Sequence, residues 1–279
     1  MRTAWILIAT VLVLEACTKE VGSTEINWID VPAGEFTFGD ERGMENEKPA
    51  LELKMHAFQL SASEVSNAMF DAFVRATHYK TDAEKAGSSL VYMNGWVDIK
   101  GANWRHPQGS NTSITDKMDH PVVHVSHADA MAFCAWARVR LPTEIEWEYA
   151  CKKGQTHSPK INIDGTADGF TQTAPVRALD PDKLGFFHLA GNVWEWCADS
   201  YQYEIHDKWQ HQGFSSRSFY TGKSFDPNAV GTDTLRVIKG GSFLCQAGYC
   251  MGYLPYARQN APQHGSYFHL GFRVARDLP

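Results

Sequence analysis

Hydrophobic and polar positions along the chain follow two rhythms. From Val31 to Gly39 (VPAGEFTFG) they alternate as in a strand set between turn residues. Phe70, Phe73 and Val74 fall at i, i+3, i+4, a helical face, with Ser66 placed to cap the helix. Ser126 followed by Asp129 predicts a second helix with an inner face of Ala130, Phe133, Trp136 and Ala137. Thr143-Glu-Ile-Glu146 is a capping box for a third, which Lys152, Lys153 and Gly154 close. From Gly154 to Asp233 periodicity is scarce, while Gly, Asp, Asn and aromatic residues are common. Short helices joined by long irregular connections predict an α+β domain with little regular secondary structure, whose loops carry function. Loops of that length need something to hold them, and bound metal ions are one means.

The N-terminus reads differently. Arg2 precedes Ala4–Leu14 (AWILIATVLVL), an apolar run too short to span a bilayer comfortably. Leu14-Glu15-Ala16-Cys17 resembles a bacterial lipobox, in which the cysteine is lipidated and becomes the mature N-terminus; Glu15 stands where a small or neutral residue is usual. The alternative is an ordinary secretory signal cleaved near Ala16. Both export the domain. The expected organisation is a lipoprotein signal peptide over 1–16, a tether over 17–26 lipidated at Cys17, and one domain over 27–279 outside the cytoplasm of a bacterium. No later stretch is long and apolar enough for a membrane span.

Composition narrows the classes without naming one. The 279 residues are 43% hydrophobic and 21% charged, which is globular and excludes disordered, collagenous and coiled-coil chains. Lys+Arg 26 against Asp+Glu 32 gives −6, so the overall basic footprint of a nucleic-acid binder is lacking. Six cysteines are too few for a disulfide-stapled scaffold of this length.

Two of those cysteines carry candidate chemistry. Val237-Ile-Lys-Gly-Gly-Ser-Phe-Leu-Cys245-Gln-Ala-Gly-Tyr-Cys250 sets a C-x4-C pair behind a strand-like run and a double glycine. Spacing alone leaves two readings open: a disulfide suited to an oxidising compartment, or a soft-metal site of paired thiolates. Zinc wants four ligands, and no second Cys/His pair of the right spacing follows.

The surrounding residues resemble the formylglycine-generating enzyme (sulfatase-modifying factor) family. The resemblance lies in Gly240–Cys250, Ala257-Arg258, Leu270-Gly-Phe-Arg273, Arg140–Ala150 (RLPTEIEWEYA) and Gly191-Asn-Val-Trp-Glu-Trp196. Lys100–Gly109 (KGANWRHPQG), Asp119–Ser126 (DHPVVHVS), Val31–Phe36 and Glu64–Asn67 extend it over nearly all of the mature domain. The cysteine pair and the Ala-Asn-Trp-Arg-His-Pro segment are its specific part. The resemblance implies a C-type-lectin-like, calcium-stabilised α+β fold. It implies an oxidoreductase that converts a cysteine in a Cys-x-Pro-x-Arg segment of an unfolded sulfatase to Cα-formylglycine. Molecular oxygen is the oxidant there, copper the cofactor, and a monomer the default state.

Carried over residue by residue, Cys245 and Cys250 would hold Cu(I), with Ser242 beside the metal and Trp194 walling the pocket and packing on the substrate. Tyr249 would line the way in, and His269, standing where the family has Asn, would border the substrate groove. Asn162 and Asp168 side chains with the Ile163 and Phe170 carbonyls would form one calcium site. Gly191, Val193 and Glu195 would form a second, weakened by His188 in place of Asn. The two structural disulfides of the family's vertebrate enzymes would pair Cys134 and Cys151 with positions that are Val274 and Pro255 here, so neither bridge can form. Leu254 and Pro255 also replace an Arg-Cys pair at the groove. These changes leave open an oxidase of a small molecule on the same scaffold, or a non-catalytic, calcium-stabilised surface binding module. In an exporting compartment the Cys245–Cys250 pair is expected to rest as a disulfide, so copper loading would require an external reductant.

Overall fold

The computed structural model describes residues 24–155, 161–163, 168–211, 219–220, 234–245 and 250–278. In chain order its elements begin with β1 (Trp28–Val31), β2 (Gly34–Phe38), β3 (Leu51–Met55), β4 (Phe58–Ser61), α1 (Asn67–Thr77) and α2 (Asp82–Ala86). They continue with β5 (Ser88–Tyr92), β6 (Trp96–Lys100), α3 (His127–Ala137), α4 (Glu144–Gly154), β7 (Trp194–Ser200) and α5 (Ile205–His211). Short strands complete the order: β8 (Phe219–Tyr220), β9 (Leu235–Lys239), β10 (Gln259–Pro262), β11 (Leu270–Gly271) and β12 (Ala275–Asp277). The expected mixed fold with limited regular structure is what forms. Among the described residues no helix is long and apolar enough to cross a membrane.

The predicted caps form because each is a local bond between a side chain and the nearby backbone. Ser66, Ser126 and Thr143 accept from the N–H groups of Met69, Asp129 and Glu146 at 3.3, 3.1 and 3.2 Å. Asp129 and Glu146 accept in return from the N–H groups of Ser126 and Thr143, both at 2.9 Å. Two expectations need correction. The strand expected over Val31–Gly39 is two strands, because Pro32 has no N–H to give a ladder and the chain breaks there. Trp136, expected on the inner face of α3, is 42% exposed. The buried face is Ala130, Phe133 and Cys134; Trp136 only laps its edge, against Phe73 and Phe133.

The sheet that positions the site is β10-β9-β7-β11. Strand β7 was not foreseen, since a run buried along nearly its whole length (WEWCADS) shows no alternation. It pairs antiparallel with β9 and parallel with β11, Leu270 opposite Trp194. Helix α4 crosses this sheet, and a buried charge network fixes it there. Glu144 takes two bonds from Arg258 at 2.6 and 2.7 Å, and Glu148 is paired with Lys239 at 3.0 Å. One apolar cluster gathers Trp147, Phe38 and Phe186, and a second gathers Trp194, Trp196, Phe133, Phe272 and Cys245. Cys245 thus sits in core packing, six residues beyond the end of β9.

Candidate functional site

After Lys239 the chain turns through Gly240 and Gly241, at φ +95° and +72°, backbone that favours glycine. A Cβ on Gly241 would lie 2.7 Å from the Tyr253 nitrogen, so the segments flanking the cysteines run backbone against backbone. Ser242 is buried. Its carbonyl accepts from the Cys245 N–H at 2.8 Å, and its own N–H donates to Cys245 Sγ at 3.5 Å. A donor aimed at sulfur favours the thiolate when the pair is reduced. The Cys245 and Cys250 sulfurs are joined as a disulfide, Cα to Cα 4.9 Å. Cys245 is 1% exposed, whereas Cys250 opens on a cleft of about 460 Å³ beside Met251, Met44 and Tyr256.

Two sulfurs that reach each other can both reach one soft ion once reduced, and a two-sulfur donor set fits Cu(I). Among the described residues no cluster of three or more His, Cys, Asp or Glu side chains offers a metal site, so a tetrahedral zinc site is not assembled.

Trp194 begins β7, and its N–H donates to the His269 carbonyl at 2.9 Å. Its indole ring fills the space where a side chain on Gly252 would stand, and that same space lies 3.4 Å from Cys250 Sγ. Trp194, Gly252 and Cys250 therefore converge, and the ring walls the sulfur pair. The His269 ring packs on Trp96, centroids 4.7 Å apart, and its Nδ1 is buried without a hydrogen-bond partner among the described residues. Burial, with His124 nearby, lowers the imidazole pKa to about 3, so it is neutral in ordinary buffers. Tyr249 and Cys17 lie outside the described residues.

Cys134, Cys151 and Cys197 are free, buried thiols. Burial raises Cys134 and Cys151 to about 12 and Cys197 well above its ordinary value, which makes all three poor nucleophiles. Cys151 and Pro255 line one cavity of about 220 Å³, so open space stands where the family's bridge would run.

The first calcium set fits a hard cation. Asn162 Oδ1 and Asp168 Oδ2 are both buried and have no hydrogen-bond partner among the described residues. Leaving two such oxygens unsatisfied is costly, and a cation bound between oxygen donors would remove that cost. The second set does not fit, and that expectation is corrected. Both Glu195 oxygens accept from Arg273, at 2.6 and 2.8 Å, and Trp147 Nε1 adds a third bond at 2.7 Å. The guanidinium already neutralises this carboxylate. His188 bonds through Nε2 to the Pro175 carbonyl (3.2 Å) instead of facing a cation.

The sequence marks Asn192 only as one position of the Gly-Asn-Val-Trp-Glu-Trp block. Its side chain donates to Glu64 Oε1 (2.8 Å) and accepts from the Ala174 N–H (2.8 Å). Its backbone N–H donates to Asn162 O (2.7 Å), and its carbonyl accepts from the Phe243 N–H (2.9 Å). One residue thus joins the Asn162 segment, the start of β7 and the cysteine segment. The available signal was an Asn after Gly, suited to the left-handed conformation it adopts (φ +60°).

The family described as "Sulfatase-modifying factor enzyme 1-like domain" matches residues 15–278. The chain belongs to the sulfatase-modifying factor family. It is 38% identical to the formylglycine-generating enzyme of Thermomonospora curvata, over 89% of this chain and 93% of that one. It is 36% identical to the Streptomyces coelicolor enzyme of the same name, over 89% and 88%. The family also holds the inactive C-alpha-formylglycine-generating enzyme 2 of Bos taurus, 34% identical over 70% of this chain and 78% of that one. Among solved structures PvdO from Pseudomonas aeruginosa shares the fold, with TM-score 0.65 at 24% identity over 90% of this chain and 94% of that one.

Proposed function

We propose that this chain oxidises a cysteine of an unfolded sulfatase, within a Cys-x-Pro-x-Arg segment, to Cα-formylglycine. The working enzyme is an exported monomer lipidated at Cys17, and it carries copper at Cys245 and Cys250 and calcium at Asn162, Ile163, Asp168 and Phe170. The observation that carries this reading is the convergence of the Cys245–Cys250 pair with buried Ser242 and Trp194, in a chain so similar to enzymes of that name.

The reaction balances when the substrate thiol, one molecule of oxygen, two electrons and two protons give the aldehyde, hydrogen sulfide and water. A thiol reductant is the electron source. When bound, copper supplies activation of oxygen toward the substrate Cβ–H. The chain's own residues do the rest. The disulfide must first accept two electrons and two protons from the reductant to become a dithiol. The Ser242 N–H then holds Cys245 Sγ in place and favours its ionised form. Trp194 walls the sulfur pair beside Cys250 and would keep water from that side of the bound substrate thiol. His269, neutral beside that wall, borders the bound peptide without adding charge.

Mass spectrometry of a Cys-x-Pro-x-Arg peptide, incubated with the full chain, Cu(I), thiol reductant and air, tests the proposal. Conversion of the cysteine to formylglycine by the wild type and not by Cys245→Ser is expected. Equal conversion by both would remove the cysteine pair from the mechanism. The likeness to an inactive relative supports a second reading, a calcium-stabilised binding module. Under it no peptide is converted and the reduced protein takes up no copper. Copper uptake with an unaltered peptide would instead favour a small-molecule oxidase.

A further inference from the structure

We propose that the outer edge of β6, with the aromatic ledge at its start, docks an extended stretch of the substrate polypeptide remote from the reacting cysteine. This rests on the protein-cysteine reading above. Strands β5 and β6 form a two-stranded sheet, and among the described residues no strand or bridge pairs with the far side of β6. A free strand edge is an invitation to pairing, usually blunted by charge, proline or cover. The C-terminal half of β6 carries charge and lies against Gly109, whereas the hairpin at its start exposes Tyr92 (44%), Met93 (63%), Trp96 (45%) and Val97 (42%). Asp98 and Lys100 are the charged positions of β6, so the docked stretch would lie mainly over its first two residues and the turn before them.

The ledge is continuous with the candidate centre. Trp96 packs on His269, whose carbonyl holds the Trp194 N–H, and Trp194 borders Cys250. From the other direction Ile99 packs in a small cluster with Phe243 and Leu244, the residue before Cys245. An unfolded chain fits this surface because its amides are unpaired and its apolar side chains are bare. Main-chain bonds to β6 would hold it, and the ledge would take alternate side chains. Five strand residues at about 3.3 Å each span roughly 16 Å, so a peptide must carry several residues beyond the core to pair along the whole strip.

Hydrogen exchange on the full chain tests this, using a long peptide with six residues added on each side of the Cys-x-Pro-x-Arg core. In the exchange probe the cysteine is replaced by serine; the bare core serves as the short probe. The long peptide is expected to slow exchange of the 96–100 amides about tenfold, and the short one to leave them unaltered. The cysteine-bearing long peptide is expected to show a KM about tenfold below that of the short one. Val97→Lys, or N-methylation of alternate added residues, should erase that difference. Edge amides already protected in the free chain would overturn the proposal, as would a long peptide that is oxidised without protecting them. Protection by phospholipid vesicles in place of the peptide would also overturn it and assign the ledge to a membrane surface. Protection by the long peptide with no oxidation of any peptide would leave the docking strip standing and bring down the oxidase reading instead.

Discussion

The molecule has two polar interiors, and they are built on opposite principles. Beneath α4 the ion pairs are closed, although Glu64 Oε2 beside Arg273 and His206 Nε2 beside Arg258 have no hydrogen-bond partner among the described residues. Arg258 is closed by Glu144, Lys239 by Glu148, and Arg273 by Glu195, with the Trp147 and Gly39 N–H groups filling remaining carboxylate positions. At Asn162, Asp168 and His269 the reverse holds. Asn162 Oδ1, Asp168 Oδ2 and His269 Nδ1 are buried without partners among the described residues. Saturated polar networks specify and stiffen a core, whereas unsatisfied ones cost stability unless a ligand completes them. The paired interior stiffens the fold, whereas in the second a bound ligand would remove the cost of the orphaned atoms.

Three measurements would break or sharpen that contrast. The largest effect is expected at Glu144→Ala, which strands the Arg258 guanidinium and should cost about 3–5 kcal/mol in urea unfolding. Pairing it with Arg258→Met should recover most of the loss, because an apolar pair costs no desolvation. A small loss in the single variant would mean that the network is not scaffold at all.

Next comes calcium removal. A chelator should lower stability by about 2–3 kcal/mol relative to calcium at 100 times its Kd, read as a fall in Tm. Asp168→Ala should lower the starting Tm and abolish the response. A wild type indifferent to chelator would show that the orphaned oxygens are tolerated without an occupant.

The smallest effect concerns His269. Its folded pKa, lowered to about 3 by burial, lies below the unfolded value of 6.5. The stability tied to the neutral ring is therefore complete above pH 6.5 and is lost as pH falls toward 3. His269→Asn should flatten the acid side of the stability profile by about 1 kcal/mol at pH 5.5. His124 and His127, lowered to about 4 and about 3 by burial, keep the remaining slope in the same direction.

Legibility from sequence divides along the same line. The helix starts at Ser66, Ser126 and Thr143 were readable because their bonds span three residues. The cysteine pair was readable because six positions contain it. The pairing of Glu195 with Arg273 was not, since the partners are 78 residues apart. Glu195 looked available to calcium for that reason. Strand β7 escaped notice because it is buried on both faces, and the break at Pro32 was visible yet overridden by the alternation around it. Resemblance supplied the candidate donors Asn162 and Asp168, but no local pattern could show that their oxygens end up buried and unmatched.

Asn192 has a consequence for how the protein comes apart. Glu64, Asn162, Ala174 and Phe243 are distant in sequence, and all are tied to this one residue. Each of these segments gives up a bond to Asn192 when it swings out, which leaves a buried polar atom of Asn192 unpaired. The neighbourhood of the cysteines should therefore open as a single cooperative unit, its amides exchanging with one common free energy, and Asn192 is the residue whose loss would let them open separately.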